Sequence, residues 1–214
     1  MYLPAHFEEN RPDVLHALMR EYPLATIVTG SENGPEANHV PLHLVAASPG
    51  APMGALQGHV ARANPLWKTA QTETDALVIF QGPQAYVSPA WYPSKVEHGK
   101  VVPTWNYVAV HARGRLLVRD DPFWLRDFLN GLVATHETKV DSVWTMNDAP
   151  ADYIDKMLAA IVGFEIRITS LIGKWKVSQN RPLADRAGVA DALNRTNNTQ
   201  KSAMAELVAP PQDA

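Results

Sequence analysis

The sequence predicts a mainly β fold, an antiparallel sheet or barrel with a few peripheral helices. Three observations predict it. About seven short apolar segments follow one another along the 214 residues, and most are separated by tight turns rather than by long helices. The helical patterns start at prolines and flank the strand-like segments. The hydrophobic fraction of 46% and the charged fraction of 19% are ordinary for a soluble globular protein.

The amino-terminal third predicts a helix followed by a hairpin. Residues 11–20 place their apolar side chains on one helical face after Pro12, a residue suited to the first helical turn. Residues 24–47 alternate like two strands, and Asn33 and Gly34 favour a tight turn between them. Residues 55–60 predict a short third strand.

The middle of the chain predicts strands interrupted by rigid loops. Residues 76–80 form a buried strand that we expect to stop at Gly82 and Pro83, and residues 85–88 form another. After a proline-rich loop, residues 105–118 predict a longer strand, and Asp121 and Pro122 begin a helix.

The carboxyl-terminal part predicts a helix from Pro150 to Gly163, a hairpin-like pair of strands over 164–180, and a short helix over 182–193. The residues after Arg195 look like a frayed polar tail. We therefore expect a single domain over 1–195 and a polar tail over 196–214.

Charge and composition exclude several function classes. The net charge of −3 gives no general attraction to nucleic acid, and the absence of cysteine excludes disulfides and thiolate chemistry. The polar first residues do not resemble a signal peptide, and no apolar run has bilayer length. These features predict a cytoplasmic protein without membrane partners. P-loop, G-x-S-x-G and G-x-G-x-x-G motifs are absent.

The segment from Gly82 to Gly114 is the most informative, because it concentrates amphipathic aromatic rings between prolines. Such rings suit a surface that is apolar on one side and hydrogen-bonding on the other. They indicate either the wall of a pocket for a flat, polar-edged ligand or a subunit interface. Within it, Thr104 and Asn106 would face away from Trp105, so that hydroxyl, amide and indole suit a heteroaromatic ring; a dimer contact is the alternative.

Phosphate-binding chemistry is suggested by the segment from Gly58 to Pro65. A strand there delivers His59 and Arg62 to the point where Asn64 caps a helix, so an anion would meet a guanidinium, an imidazole and free backbone N–H groups. The alternative is a surface arginine beside a capped helix.

Two further segments carry candidate residues. His39 and His43 share a strand face, but they lack a third ligand for a metal, and a pocket-facing His39 is the milder hypothesis. In residues 173–181, Lys176, Ser178 and Gln179 are candidates for an anion or ring-edge site. The alternative is an edge strand protected by lysines.

The chain resembles a known family at five quoted segments: MYLPAHF (1–7), GHVARANPLW (58–67), VIFQGPQAYVSPAWYPSK (78–95), VPTWNYVAVHARG (102–114) and KVSQNRPLADRAGV (176–189). They resemble, in order and over about residues 1–195, the PaiB family of FMN-binding negative transcriptional regulators. The resemblance implies an antiparallel split β-barrel of the FMN-binding type. It also implies a homodimer with FMN at the subunit interface.

The resemblance also implies roles by position. The FMN phosphate would be bound by His59 and Arg62, with Gly58 and Asn64 beside them. The remaining candidates are a strand near the flavin ring (His39, Val40, Pro41), residues contributed by the partner subunit (Trp105, Asn106, with Thr104 beside them) and residues on the final strands (Lys176, Ser178, Gln179).

The predicted function is a dimeric FMN-binding protein of the PaiB regulatory type. One alternative is an FMN-dependent oxidoreductase that acts on a small molecule with NAD(P)H, and another is a flavin-free binding module. No helix-turn-helix can be read from the sequence, so DNA as a partner rests on the family label alone. The sequence nominates no catalytic residue.

Overall fold

The computed structural model describes residues 1–69 and 74–210. In these residues the strands are Glu8–Glu9 (β1), Leu24–Ser31 (β2), Gly34–Pro41 (β3), His43–Val45 (β4), Ala55–Ala61 (β5), Thr74–Val87 (β6), Thr104–Arg119 (β7) and Ile161–Lys176 (β8). The α-helices are Pro12–Glu21 (α1), Leu66–Thr69 (α2), Ser94–His98 (α3), Pro122–Lys139 (α4), Ala151–Ala159 (α5), Leu183–Asn194 (α6) and Thr199–Val208 (α7).

The strands form one sheet in the order β3-β2-β6-β7-β8-β5-β4, and β1 pairs with β8 outside this path. The ladders β2–β3, β2–β6, β4–β5, β5–β8 and β1–β8 are all antiparallel. The sequence prediction of a mainly antiparallel β protein with helices outside the sheet is therefore confirmed.

The β2–β3 hairpin forms at the predicted turn. Gly34 has a φ of 107°, which side chains rarely tolerate, and the Ser31 hydroxyl donates a hydrogen bond of 2.8 Å to the Gly34 carbonyl. The resulting register places Thr26 opposite His39.

The predicted break at Gly82 and Pro83 is wrong, because β6 continues through both residues to Val87. A Cβ added at Gly82 would lie 2.6 Å from Val108 Cγ2 and 2.7 Å from Leu18 Cδ1. Glycine therefore serves here for close packing rather than for a turn, and it lets the strand pass beneath these side chains.

The predicted hairpin over 164–180 is also wrong, because β8 is one continuous strand. Its first half pairs with β5 and its end pairs with β1, through Glu8 opposite Lys174. The strand thus has one partner up to Arg167 and another at Gly173 and Lys174. The alternative of an edge strand protected by exposed lysines does not hold for Lys174, which is 7% exposed and whose ammonium donates to the Tyr2 carbonyl at 3.0 Å.

The predicted polar tail after Arg195 is wrong for Thr199–Val208, which forms α7. Asn198 caps this helix by accepting a hydrogen bond of 3.1 Å from the Lys201 N–H. Met204, Ala205 and Val208 are buried. The helix has few apolar residues and they alternate with polar ones in the sequence, so composition alone does not reveal it. The helix predicted to run from Pro150 to Gly163 ends earlier, at Ala159.

The Cα positions group into two compact units. The first comprises Met1–Leu18, Phe80–His111 and Ile172–Ala214, described as far as residue 210. Its buried residues include Phe80, Val110, Leu193 and Met204.

The second unit comprises Met19–Ile79 and Ala112–Leu171, apart from residues 70–73. Ile27, Leu56, Phe164 and Ile166 are among its fully buried side chains. A separate cluster in this unit packs α4 against α5 through Leu125, Met146, Ile154 and Leu158. Of the described helices, none is long and apolar enough to span a membrane.

Candidate functional site

The first unit contains a small pocket of about 120 Å³ whose lining carries two cationic side chains. We call it the cationic pocket. Its polar lining consists of Tyr92, Thr104, Asn106, Lys176, Ser178, Asn180 and Arg181. Four of the residues predicted from the sequence, Thr104, Asn106, Lys176 and Ser178, are therefore brought together here.

Lys176 lies at the end of β8, and its neighbours hold it over the start of β7. The ammonium donates hydrogen bonds to Thr104 Oγ1 and, at 2.8 Å, to the Trp105 carbonyl. An ammonium has three N–H donors, so one remains for a ligand. Partial burial lowers the pKa of Lys176, which indicates that the amine has lost part of its hydration.

Asn106 and Ser178 form the buried floor of the pocket, with 1% and 4% of their surfaces exposed. Asn106 Nδ2 donates to Ser178 Oγ at 2.8 Å. Ser178 has a φ of 62°, so the chain turns sharply just after β8. Gln179 closes this turn, since its Oε1 accepts from the Val177 N–H at 2.8 Å and its amide donates to the Trp175 carbonyl.

The sequence interpretation missed Tyr92 and Arg181 as members of the pocket. The Tyr92 hydroxyl is buried and makes no hydrogen bond of ordinary geometry with residues 1–69 and 74–210, although the Arg181 and Ser178 side chains lie close to it. Burial raises the pKa of Tyr92, so the hydroxyl stays protonated and can donate. The Arg181 guanidinium carbon lies 5.1 Å from the centroid of the Tyr92 ring. Tyr92 lies in the aromatic segment from Gly82 to Gly114, and Arg181 lies in the quoted segment 176–189. Their position in these two segments is the signal in the sequence that could have identified them.

A buried carboxylate positions this wall of the pocket. Asp185, in α6, is 1% exposed and accepts hydrogen bonds from Ser94 N at 3.1 Å and from Ser94 Oγ at 2.7 Å. The bonds join the start of α3 to α6, the elements that immediately follow Tyr92 and Arg181 in the chain. A buried carboxyl group whose two oxygens both accept hydrogen bonds fixes the elements that it joins, so Tyr92 and Arg181 precede segments that are held together.

Two aromatic rings beside the pocket are exposed. Trp105 is 55% exposed and Tyr86 is 45% exposed, and their ring centroids lie 6.0 Å apart in an edge-to-face arrangement. The hydrogen bond from Lys176 to the Trp105 carbonyl ties this aromatic surface to the cationic pocket. The surface can cover a flat ring or a second protein chain.

In the second unit, Arg62 is engaged by its own chain. Its guanidinium donates to both carboxylate oxygens of Asp120, at 2.9 and 2.7 Å, to the Ala159 carbonyl at 2.7 Å and to the Ile161 carbonyl at 2.9 Å. Four of the five N–H donors of an arginine are thus used. The hydrogen bonds from Arg62 lower the pKa of Asp120.

His59 points into an apolar environment rather than towards Arg62's partners. Its ring lies edge-on to Phe128, with centroids 5.9 Å apart, and its buried Nδ1 has no hydrogen-bond partner in the part of the chain that the structure describes. Burial lowers the pKa of His59, so the neutral form is favoured. A neutral imidazole is a weak ligand for a phosphate dianion.

The remaining candidates of the second unit have ordinary structural contacts. Asn64 caps α2, as its Oδ1 accepts from the Leu66 N–H at 2.8 Å. Gly58 is buried beneath Phe164 and Leu42, and an added Cβ would approach them to 2.6 and 2.8 Å. In β3, Val40 is buried, whereas Pro41 and His39 are exposed. His39 Nδ1 and Thr26 Oγ1 are hydrogen-bonded at 3.0 Å.

The cationic pocket fits an anionic group, because the cations Lys176 and Arg181 and the hydroxyl donor of Tyr92 all line it. Sites for whole drug-sized ligands occupy about 300 Å³ or more, so a pocket of about 120 Å³ suits a phosphate-sized group. A flavin mononucleotide could place its phosphate there only if its tricyclic ring lay outside, on a surface such as that of Trp105 and Tyr86.

Comparison with known proteins agrees with this chemistry. The family model described as "Putative FMN-binding domain" matches residues 1–170. The chain is 32% identical over 210 residues to "Protease synthase and sporulation protein PAI 2" of Bacillus subtilis (strain 168), and the match covers 97% of this chain and 96% of that one.

Two solved structures are similar in fold. They are the FAD and heme binding protein from Mycobacterium smegmatis (TM-score 0.57, 17% identity, 79% of this chain and 73% of that one) and the flavocytochrome Anf3 from Azotobacter vinelandii (TM-score 0.56, 14% identity, 79% and 69%). At such identities the likeness shows the fold alone. The predicted fold class, an antiparallel split β-barrel with peripheral helices, is confirmed.

Proposed function

Since this chain belongs to the PaiB family of FMN-binding proteins, we propose that it is a homodimeric regulator with FMN as its cofactor and that its cationic pocket binds the flavin phosphate. Bound FMN supplies one- and two-electron redox chemistry, while the protein positions it and tunes its electronics. A cytoplasmic location is part of the proposal.

The observation that carries the proposal is the buried Tyr92 hydroxyl, which makes no hydrogen bond of ordinary geometry within the described residues although the Arg181 and Ser178 side chains lie close to it. A buried donor left without an acceptor costs about 1–3 kcal/mol. A phosphate oxygen would supply that acceptor, and Lys176 and Arg181 would offset the phosphate charge. Asn106 and Ser178 would hold the floor of the site through their own hydrogen bond.

The phosphate role predicted for His59 and Arg62 stays a prediction, and their contacts favour a different assignment. To bind phosphate, Arg62 would have to exchange its bidentate pairing with Asp120 for the ligand. His59 would have to bind it as a neutral ring in an apolar environment. The cationic pocket requires neither change.

The ring of FMN would lie on exposed aromatic and strand surfaces. Trp105 and Tyr86 are exposed, and the hydrogen bond from Lys176 to the Trp105 carbonyl joins them to the cationic pocket; the ring contacts of His39, Val40 and Pro41 stay a prediction from the sequence. Trp and Tyr are enriched at protein interfaces, which supports a homodimer in which the same aromatic surface meets the partner subunit.

The test of cofactor binding is a titration of flavin-free protein with FMN and, separately, with riboflavin, followed by quenching of flavin fluorescence. FMN should bind with micromolar or better affinity at one equivalent per chain. Riboflavin lacks the phosphate and should bind at least about tenfold more weakly, the difference expected when one charge-assisted contact is lost. No binding of FMN, or equal binding of the two, would contradict the proposal.

The dimer is tested by sedimentation equilibrium of the wild-type protein and the Trp105→Ala variant. We expect twice the chain mass of 23.5 kDa for the wild type and a shift towards monomer in the variant. A wild-type protein that stays monomeric at micromolar concentration would contradict the homodimer.

Regulation by DNA contact is tested by gel shift at physiological and at low salt, with and without FMN. Specific binding should persist at physiological salt, whereas weak charge attraction disappears as salt rises. Binding to any DNA equally would contradict a specific regulator. Rapid anaerobic bleaching of the flavin by NAD(P)H would instead favour the oxidoreductase alternative.

A further inference from the structure

A second pocket, in the second unit, combines cationic side chains with an apolar floor. Its volume is about 260 Å³. Arg20 reaches it from the end of α1, His43 from β4, and His136 and Lys139 from the last turn of α4, while Leu42 and Leu132 belong to the floor. We call it the histidine pocket. It contains neither the cationic pocket's residues nor any candidate predicted from the sequence for FMN.

The positive groups of the histidine pocket are only partly neutralised. Lys139 Nζ lies 3.6 Å from Glu21 Oε2 and donates to the Arg20 carbonyl at 3.3 Å. Arg20, His43 and His136 have no ion pair within residues 1–69 and 74–210. Among the described residues, the Glu21 carboxylate beside Lys139 is the counter-ion found for these four groups that can carry positive charge.

The environment of the pocket changes the pKa of His43. Burial first, then repulsion by His136 and by Arg20, lowers the pKa of His43. Across the sheet, His43 stands opposite Gln57, whose amide donates to Glu165 at 3.4 Å. The Glu165 carboxylate is itself bound by Arg119 and Arg167, so it does not serve as a counter-ion for the imidazole.

We propose that the histidine pocket is a binding site for a small organic anion, a carboxylate carried on an apolar body. Arg20 would pair with the carboxylate at the rim, and the leucine floor would cover the apolar part. A volume of about 260 Å³ approaches the lower end of typical small-molecule sites, about 300 Å³. A bare anion would leave that floor without a partner.

The geometry also fixes the pH dependence. An imidazole attracts an anion only when it is protonated, and a bound carboxylate raises the pKa of a neighbouring histidine. Binding therefore takes up protons and tightens as the pH falls from 8 to 6. Histidine is the side chain whose ordinary pKa lies in this range, so we expect the dependence to come from His43 and His136.

The experiment is isothermal titration calorimetry of FMN-saturated protein with octanoate at pH 6 and pH 8. Octanoate should bind at pH 6 and at least about tenfold more weakly at pH 8, since a shift of one pKa unit corresponds to a tenfold change. Octanamide, which is neutral, should bind more weakly at pH 6. Inorganic phosphate, which has no apolar body, should bind more weakly as well.

Variants assign the effect to named side chains. His43→Gln and His136→Gln should each reduce the pH dependence, and Arg20→Gln should weaken binding about tenfold at both pH values. Arg126→Gln is the matched control, because Arg126 lies on α4 but pairs with Asp155 away from this pocket. Near-identical circular dichroism spectra of the variants would establish that each still folds.

Several results would overturn the inference. They are no octanoate binding at pH 6, a pH dependence that survives in both histidine variants, phosphate binding as tight as octanoate binding, or octanoate binding only when FMN is absent. The last result would make this pocket part of the flavin site. Because FMN binding is measured separately, failure here leaves the proposed cofactor function standing.

Discussion

Replacing Arg62 with glutamine distinguishes a structural arginine from a phosphate-binding one. In the structure the guanidinium joins Asp120, just after β7, to the carbonyls of Ala159 and Ile161, where α5 ends and β8 begins. Glutamine keeps a polar side chain but removes the charge and the fork of donors. We expect Arg62→Gln to destabilise the fold and to leave FMN affinity within about twofold of wild type.

The magnitude follows from the contacts. The Arg62 and Asp120 side chains are 39% and 43% exposed, and a pair so exposed contributes only about 0.2–1 kcal/mol. The two hydrogen bonds to backbone carbonyls add about 0.5–1 kcal/mol each, at the lower end for partly exposed donors. Arg62→Gln should therefore lower the free energy of unfolding by about 1–3 kcal/mol.

Urea unfolding measured by circular dichroism, together with FMN titration, tests this expectation. Arg126→Gln is the control, because Arg126 makes one exposed contact to Asp155 and its loss should cost less than about 1 kcal/mol. An Arg62→Gln variant with unchanged stability and FMN affinity lowered tenfold or more would refute the structural role. That result would instead support the phosphate-binding role that the sequence predicts for Arg62.

The pairing also has a pH signature. Arg62 lowers the pKa of Asp120 in the folded protein, so the pair's contribution is present above the unfolded-state pKa of about 4. It is lost as the pH falls through the lowered pKa. The stability difference between wild type and Arg62→Gln should therefore shrink below pH 4.

Three further perturbations test other parts of the structure. Lys176→Gln should weaken FMN about tenfold by fluorescence titration and leave riboflavin unchanged, because the lost charge faces only the phosphate; equal losses would contradict this. Gly58→Ala should lower the urea-unfolding free energy by about 1–3 kcal/mol, because the added Cβ would meet Phe164 and Leu42 at 2.6 and 2.8 Å; an unchanged value would show that the core relaxes. Burial lowers the pKa of His59, so wild-type stability should fall as the pH drops below about 6.5, where the unfolded state takes up a proton. His59→Gln should lose less stability between pH 8 and pH 5.5, and equal slopes would assign the loss to other groups.

Local signals in the sequence were sufficient for much of the fold. The Asn33-Gly34 turn, the Asp121 cap and the helix after Pro12 depend on neighbouring residues, and all three are present in the structure. The failures depend on distant contacts. Gly82 resembles a strand terminator in sequence, but it is glycine because Val108 packs against it.

In the candidate site, too, local signals in the sequence predict some residues, whereas contacts between distant residues are visible only in the structure. The sequence predicts Asn106 as a site residue because its amide accompanies the Trp105 indole, and Lys176 and Ser178 as candidates for an anion or ring-edge site; all three line one pocket. Tyr92 is one of several amphipathic aromatic residues in the segment from Gly82 to Gly114, and only the folded chain shows that its hydroxyl is buried and makes no hydrogen bond of ordinary geometry with the described residues. The engagement of Arg62 by Asp120 joins residues 58 positions apart, which spacing could not reveal.

The most direct test of the central claim is a crystal structure of the protein with FMN bound. We expect phosphate oxygens within hydrogen-bond distance of Lys176 Nζ, the Arg181 guanidinium and the Tyr92 hydroxyl, with the Arg62–Asp120 ion pair intact. A phosphate bound by Arg62, with the cationic pocket filled only by water, would contradict the account.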